Sequence, residues 1–143
     1  MVYLFAFAFG QHPAAKLVHF AFLIATGPML LVVGRKLEIG DTVSWTAAAF
    51  YACAPVVGIS RTSAYTDAAL VCCILATFYF LLVWREEANP MYLAPAGLLA
   101  GFCYAIKINA LLIPALALLF VLIECRRNPK LALARCGLLA SAR

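Results

Sequence analysis

The chain has 143 residues, of which 66% are hydrophobic and only 12% are charged, and its mean hydropathy is +1.00. Soluble domains are about half apolar and about one quarter charged, so this composition excludes a soluble globular domain, a disordered segment and a secreted disulfide-rich protein. It predicts an all-α fold, a polytopic transmembrane helix bundle. The formal charge of +5 is interpreted as Lys and Arg that anchor helix ends at the membrane surface, not as a nucleic-acid interface.

The first three of five apolar segments predict membrane helices of ordinary length. The first runs from about Ala14 to Gly34 and would be about 31 Å long, enough to cross a hydrocarbon core of about 30 Å. The second is expected to begin with Asp41 or Thr42 as its N-cap. The second and third segments have the expected ranges Thr42–Gly58 and Thr66–Trp84.

The last two segments lie between Met91 and Cys125 and are separated by a polar break at Lys107-Ile108-Asn109. A single helix of about 34 residues would be about 51 Å long, which is too long for one ordinary crossing. It would also leave a basic cluster on each side of the membrane. The pattern therefore favours a short hairpin, with a re-entrant pair that turns at membrane depth as the alternative. A truncated sixth segment is expected from Leu131 to Arg143.

The distribution of Lys and Arg predicts the orientation of the bundle. Seven of these residues fall in the loops of one side and three on the other, and the richer side is expected to be cytoplasmic. The hairpin turn and the loop between the second and third segments then face the outside. Trp45 and Trp84 would belong to an inner aromatic belt. The cations of the outer side are Lys16, Arg61 and Lys107.

Asp67 is a candidate functional residue because it lies in the first turn of the third segment, at the outer side. Its carboxylate could bind a divalent cation or orient a sugar or phosphate, and ionisable residues near membrane segments are functional candidates. The alternative is a structural role, since an acid at the positive end of a helix dipole contributes about 0.3–1 kcal/mol. No other cofactor is indicated.

Lys107 and Arg61 are candidates for a phosphate site on the same outer side. Charged hydrogen-bond donors bind phosphate strongly. The alternative is that both are ordinary loop cations whose side chains reach the interface. His19, which is close to Lys16 on a helical surface, is expected to be interfacial.

Gly97 and Gly101 form a G-x-x-x-G pattern in an apolar helix, which permits close approach of two helix backbones. The pattern predicts packing within this bundle, and a dimer interface is the alternative.

Four stretches occur in an order and spacing that are similar to those of a known family, over residues from about Ala14 to Leu119. They are Ala15-Lys16-Leu17-Val18-His19-Phe20 with a helix ending in Gly34-Arg35-Lys36-Leu37; Ala52-Cys53-Ala54-Pro55; Thr62-Ser63-Ala64-Tyr65-Thr66-Asp67-Ala68-Ala69-Leu70; and Ala96-Gly97-Leu98-Leu99-Ala100-Gly101 followed by Lys107. In these stretches the chain resembles bacterial relatives of protein O-mannosyltransferases and lipid A aminoarabinose transferases.

This resemblance implies a C-type (GT-C) membrane glycosyltransferase that transfers a hexosyl or pentosyl group from a polyprenyl-phosphate-linked sugar at the periplasmic face. It implies that Asp67 lies beside the active site, where it assists a metal or positions the acceptor. Lys107 and Arg61 would hold the donor phosphate. The implied partners are the lipid bilayer and the lipid-linked sugar, with no nucleic acid.

The family's catalytic acid lies in a loop before the matched stretch, and no residue of this chain corresponds to it. Residues 1–143 are therefore expected to be a single transmembrane region, an internal fragment of a larger enzyme that is inactive alone. Two other classes fit the composition: a segment of a small-solute or lipid transporter, and a small noncatalytic membrane assembly protein. A transporter predicts two related halves, and no internal repeat is visible.

Overall fold

The computed structural model describes residues 2–54 and 67–128, and within these ranges the regular structure is entirely helical. This confirms the all-α fold that composition predicts. Short 3-10 helices, Pro90–Tyr92 and Ile108–Leu111, precede the last two α-helices. The α-helices of the described ranges are α1 (Val2–Lys36), α2 (Asp41–Cys53), α3 (Asp67–Glu87), α4 (Leu93–Ile106) and α5 (Leu112–Arg127).

Three of the described helical stretches are long and apolar enough to cross a membrane. They are Lys16–Lys36 within α1, Asp67–Glu87 and Ile108–Arg127, while Pro90–Ile106 is apolar but shorter. These spans make the protein a multi-pass membrane protein. Helix α1 begins at Val2, well before the expected start at Ala14, and continues through Gly10 and Pro13. The sixth segment and the end of the second lie outside the described residues.

The described helices belong to two compact units, Met1–Leu75 and Ala76–Arg143, whose boundary falls inside α3. In the first unit α1 and α2 form an antiparallel pair. Near the turn, Gly34 of α1 lies against Ser44 of α2. Farther away, Phe20 of α1 and Tyr51 of α2 line one groove. The residues nearest the turn thus contact each other, and so do residues far from the turn, as in a helical hairpin.

The turn after α1 is a Schellman motif. The Ile39 N–H donates to the Gly34 carbonyl at 3.2 Å, and the Glu38 N–H donates to the Arg35 carbonyl at 3.1 Å. Glu38 has φ 56°, a left-handed conformation that is uncommon for residues other than glycine.

The N-cap of α2 is Gly40, with no side-chain capping hydrogen bond, so the expected cap at Asp41 or Thr42 is wrong. The Asp41 carboxylate does not cap the helix because it accepts a hydrogen bond from Arg35 across the turn. The distance from Arg35 Nε to Asp41 Oδ1 is 3.1 Å. Both side chains are well exposed, so this ion pair contributes little to stability.

In the second unit α4 and α5 are antiparallel, as both the short hairpin and the re-entrant pair predict. Leu93 and Val121 line one end of a shared groove, and Ala100 and Pro114 line the other end. The polypeptide between the two helices reverses direction at Lys107.

The expected close packing at Gly97 and Gly101 is wrong for the described residues. A Cβ atom built at either glycine meets no atom within 4 Å. The face of α4 that packs is offset by one residue, and its buried members are Ala96, Ala100 and Cys103.

The expected place of Trp84 in an aromatic belt is wrong, because its side chain is only 1% exposed. Trp45, in contrast, is 59% exposed, as a belt residue would be.

Candidate functional site

Lys107 lies where two helices of the second unit are interrupted. Its backbone is extended, with φ −143° and ψ 130°, and it is the C-cap of α4. Its N–H donates to the Cys103 carbonyl at 3.1 Å, and its carbonyl accepts from the Ala110 N–H at 2.9 Å. These hydrogen bonds satisfy the Lys107 backbone at the junction, as a segment at a membrane boundary requires. The break predicted from the sequence at residues 107–109 is thus confirmed.

Lys107 places a positive charge at an accessible helix start. Lys107 and Asn109 are exposed, and Lys107 directly precedes the apolar stretch Ile108–Arg127. The first N–H groups of a helix have no intrahelical acceptor and carry the positive end of the helix dipole. An ammonium group beside this helix end is an arrangement that favours an anionic ligand.

Asp67 is the first residue of α3, and its side chain is exposed. The next two residues, Ala68 and Ala69, are buried, so the helix packs directly after its acidic first residue. An acid at this position interacts favourably with the helix dipole, as the structural interpretation requires. An exposed carboxylate at a helix start can also contact a ligand.

The three candidate residues fall in different parts of the chain. Asp67 belongs to the first unit and Lys107 to the second, and Arg61 lies outside the described residues. Within residues 2–54 and 67–128, no group of three or more His, Cys, Asp or Glu side chains could hold a metal ion. Asp67 by itself would offer a cation only one carboxylate. No step of the reaction proposed below is therefore assigned to a metal ion.

A buried polar face of α1 was missed by the sequence interpretation. His19 is 1% exposed and Thr26 is fully buried, so His19 does not lie on the helical surface as expected, whereas its neighbour Lys16 is exposed. Thr26 Oγ1 donates to the Phe22 carbonyl at 2.8 Å. The Thr26 hydroxyl and the Cys72 thiol also share a hydrogen bond, which joins α1 to the start of α3. The seven-residue spacing of His19 and Thr26 could have predicted this polar face, since residues seven apart lie on the same side of a helix.

Comparison with known families assigns the chain. Residues 1–142 match the family described as dolichyl-phosphate-mannose-protein mannosyltransferase. The chain belongs to this mannosyltransferase family. No curated protein and no solved structure gives a match.

Membership in the mannosyltransferase family confirms the resemblance seen in the sequence motifs. The family is one of membrane glycosyltransferases of the GT-C type, so the chain is assigned to the multi-pass membrane glycosyltransferases. This assignment favours an enzyme over the transporter segment and the assembly protein that composition alone left open.

Proposed function

We propose that this protein transfers a sugar from a polyprenyl-phosphate-linked donor at the periplasmic face of the inner membrane, with Lys107 binding the donor phosphate. The observation that carries the proposal is the position of Lys107, exposed in a helix break and directly before the helical stretch Ile108–Arg127. A phosphate there would meet a full positive charge and the positive end of a helix. The mannosyltransferase family supplies the reaction class.

The proposed reaction is a direct transfer with inversion. The acceptor hydroxyl attacks the anomeric carbon while the bond from that carbon to the phosphate oxygen breaks, and the polyprenyl phosphate leaves. Negative charge grows on the leaving phosphate, so a cation already in place stabilises the transition state. Asp67 would position the acceptor, and Arg61 would be a second phosphate ligand. The base that takes the acceptor proton is not among these residues, and the proposal covers both hexosyl and pentosyl donors.

Replacing Lys107 tests the phosphate site. We expect Lys107→Ala to raise the KM for the donor at least tenfold, because about 1.4 kcal/mol corresponds to tenfold in affinity. Lys107→Arg should recover part of the loss. The matched control is Lys16→Ala, which removes another exposed cation assigned to the outer side. The assay is sugar transfer from a polyprenyl-phosphate donor by protein expressed from its native gene. Equal kinetics for Lys107→Ala and Lys16→Ala would refute the phosphate site.

Replacing Asp67 separates its two interpretations by magnitude. Asp67→Asn keeps the shape and removes the charge, so loss of a dipole interaction alone costs about 0.3–1 kcal/mol of stability. It would leave turnover almost unchanged. If the carboxylate positions the acceptor, its loss should lower the rate tenfold for each ~1.36 kcal/mol of transition-state stabilisation that is lost. We expect at least a tenfold fall in kcat with a melting temperature near that of the parent. A folded variant with parental kcat would leave Asp67 as a helix-terminus residue.

A further inference from the structure

A buried hydrogen bond between side chains joins α1 to the first turns of α3 inside the first unit. Thr26 is fully buried, and its hydroxyl group donates its one hydrogen to the Phe22 carbonyl at 2.8 Å. The same hydroxyl shares a hydrogen bond with the Cys72 thiol. Because the hydroxyl hydrogen is already used, the S–H group of Cys72 is the donor and Thr26 Oγ1 is the acceptor. One hydroxyl group therefore connects its own helix to the neighbouring one.

The start of α3 offers little else that would fix its position along α1. Ala68 and Ala69 are 6% and 1% exposed, and each presents only a methyl group to its neighbours. Apolar membrane helices pack through van der Waals contacts, and contacts between methyl groups change little when one helix slides along another. A directional hydrogen bond, in contrast, is satisfied in one register only. Fixing a register is the best-attested role of an isolated buried polar group.

The hydrogen bond lies close to Asp67 along α3. Cys72 follows Asp67 by five residues in an uninterrupted helix, a rise of about 7.5 Å. A shift of α3 by one residue relative to α1 would move Asp67 by about 1.5 Å along the helix axis and turn it by about 100°. A misplacement of about 1 Å can lower a catalysed rate about 100-fold. The register of α3 thus decides whether the Asp67 carboxylate can act.

We propose that Thr26 is a positioning residue, which fixes the register of α3 through Cys72 and so holds the Asp67 carboxylate where it positions the acceptor. The inference rests on the proposed role of Asp67, and it assigns a function to a hydroxyl group that touches neither donor nor acceptor. Thr26 and Asp67 belong to the first unit, whereas Lys107 belongs to the second. Loss of the Thr26 hydroxyl should therefore lower turnover and leave donor binding unchanged.

The activity test compares Thr26→Val with a matched control. Valine keeps the shape of threonine and removes the hydroxyl group. The control is Thr46→Val, because the Thr46 hydroxyl donates to the Thr42 carbonyl at 2.7 Å, within its own helix, and is exposed. We expect Thr26→Val to lower kcat for sugar transfer about tenfold, since a loosened register still samples the correct position part of the time. The KM for the polyprenyl-phosphate donor should stay at the parental value, and Thr46→Val should match the parent in both constants.

Further variants separate positioning from a purely structural role. Thr26→Ser and Cys72→Ser keep a donor and an acceptor in place and should retain the parental kcat. Cys72→Ala should reproduce the loss seen in Thr26→Val. In an Asp67→Asn background, Thr26→Val should cause no further loss, because the carboxylate that it positions is already absent.

A second measurement reports the register without requiring activity. Spin labels on cysteines that replace Leu17 of α1 and Val71 of α3, both exposed, measure the distance between the two helices. The background carries Cys72→Ser, which keeps the hydrogen bond, and alanine at the other native cysteines. Thr26→Val should shift or broaden the distance distribution obtained by double electron–electron resonance, and Thr46→Val should leave it unchanged.

Four results would overturn the inference. The first is a parental kcat in a folded Thr26→Val enzyme, and the second is an equal loss in Thr26→Val and Thr46→Val. The third is a full further loss from Thr26→Val in the Asp67→Asn background, since Thr26 would then act independently of Asp67. The fourth is a distance distribution that Thr26→Val leaves unchanged.

Two more outcomes are separated from these. If Thr26→Val does not fold, Cys72→Ala takes its place under the same criteria. A parental kcat for Asp67→Asn would refute the proposed role of Asp67 itself, and the spin labels would still decide whether Thr26 fixes the register of α3.

Discussion

Gly34 lies at a point in the first unit where two helix backbones approach closely. A Cβ atom built at Gly34 would lie 2.8 Å from the Ser44 Cβ and closer still to its Oγ. Ser44 is buried, and its hydroxyl donates to the Gly40 carbonyl at 3.0 Å, so the side chain is fixed in place. Only a residue without a Cβ fits there.

Gly34→Ala is therefore expected to destabilise the protein by about 1–3 kcal/mol, the usual cost of overpacking. The same change at Gly101 within α4, where an added Cβ meets nothing within 4 Å, should be neutral or stabilising by up to about 1 kcal/mol. Unfolding by SDS titration in mixed micelles measures both. A double variant, Gly34→Ala with Ser44→Gly, should regain part of the loss. Equal effects at Gly34 and Gly101 would contradict the close approach.

Ala88 directly follows α3 and has a left-handed conformation, with φ 53°. Its N–H donates to the Trp84 carbonyl at 2.9 Å, which is the single hydrogen bond of an αL cap. An L-residue with a Cβ is disfavoured in this conformation by roughly 1–2 kcal/mol.

Ala88→Gly should thus stabilise the protein, by up to about 1 kcal/mol after the entropy of glycine is subtracted. The control is Ala47→Gly at an exposed position within α2, which should destabilise by up to about 1 kcal/mol. The melting temperatures in detergent should shift in opposite directions. A decrease for both variants would refute the strained cap.

In helix α4, one face is buried and the neighbouring face is exposed. Ala100 is 2% exposed, whereas Gly101 is exposed and surrounded by open space. The small-residue pattern of the sequence pointed to Gly97 and Gly101, and the packing instead uses the alanines beside them.

Gly101→Leu should accordingly fold and melt like the parent. Ala100→Leu should cost about 1–3 kcal/mol, because the larger side chain has no space. Thermal melts of the two purified variants decide between the faces. If Gly101→Leu is the more damaging change, the G-x-x-x-G prediction was right after all.

For the whole molecule, the testable feature is the orientation of the hairpin in the membrane. Asn89 precedes α4 and Asn109 follows it, and both are exposed. The excess of Lys and Arg predicts that the Asn89 side is cytoplasmic. The proposed function requires that the turn containing Lys107 and Asn109 faces the periplasm.

Cysteines placed at Asn89 and Asn109, on a background without native cysteines, should react with membrane-impermeant reagents from opposite sides. We expect labelling of the Asn109 position in intact spheroplasts and of the Asn89 position only after lysis. Labelling of both from one side would refute the hairpin crossing and favour the re-entrant pair. Reversed labelling would move Lys107 to the cytoplasm and refute the periplasmic site.

The sequence by itself determined the helical membrane fold and the place where the last apolar stretch breaks. Both follow from strong local signals: an apolar excess that only a bilayer accommodates, and a lysine and an asparagine within a stretch too long for one crossing. It also made Lys107 and Asp67 the candidate site residues, because ionisable residues are rare in such a chain. The family followed from ordered motifs, which need no coordinates.

Only the tertiary structure decided which faces of the helices pack. In a soluble helix a polar face marks the side that is exposed, but these helices are apolar all round, so periodicity carries little information about the contact face. Burial of His19 and Trp84, the contact of Gly34 with Ser44 and the choice of Ala100 over Gly101 therefore appear only in three dimensions. Each depends on the shape of a neighbouring helix that is distant in the sequence.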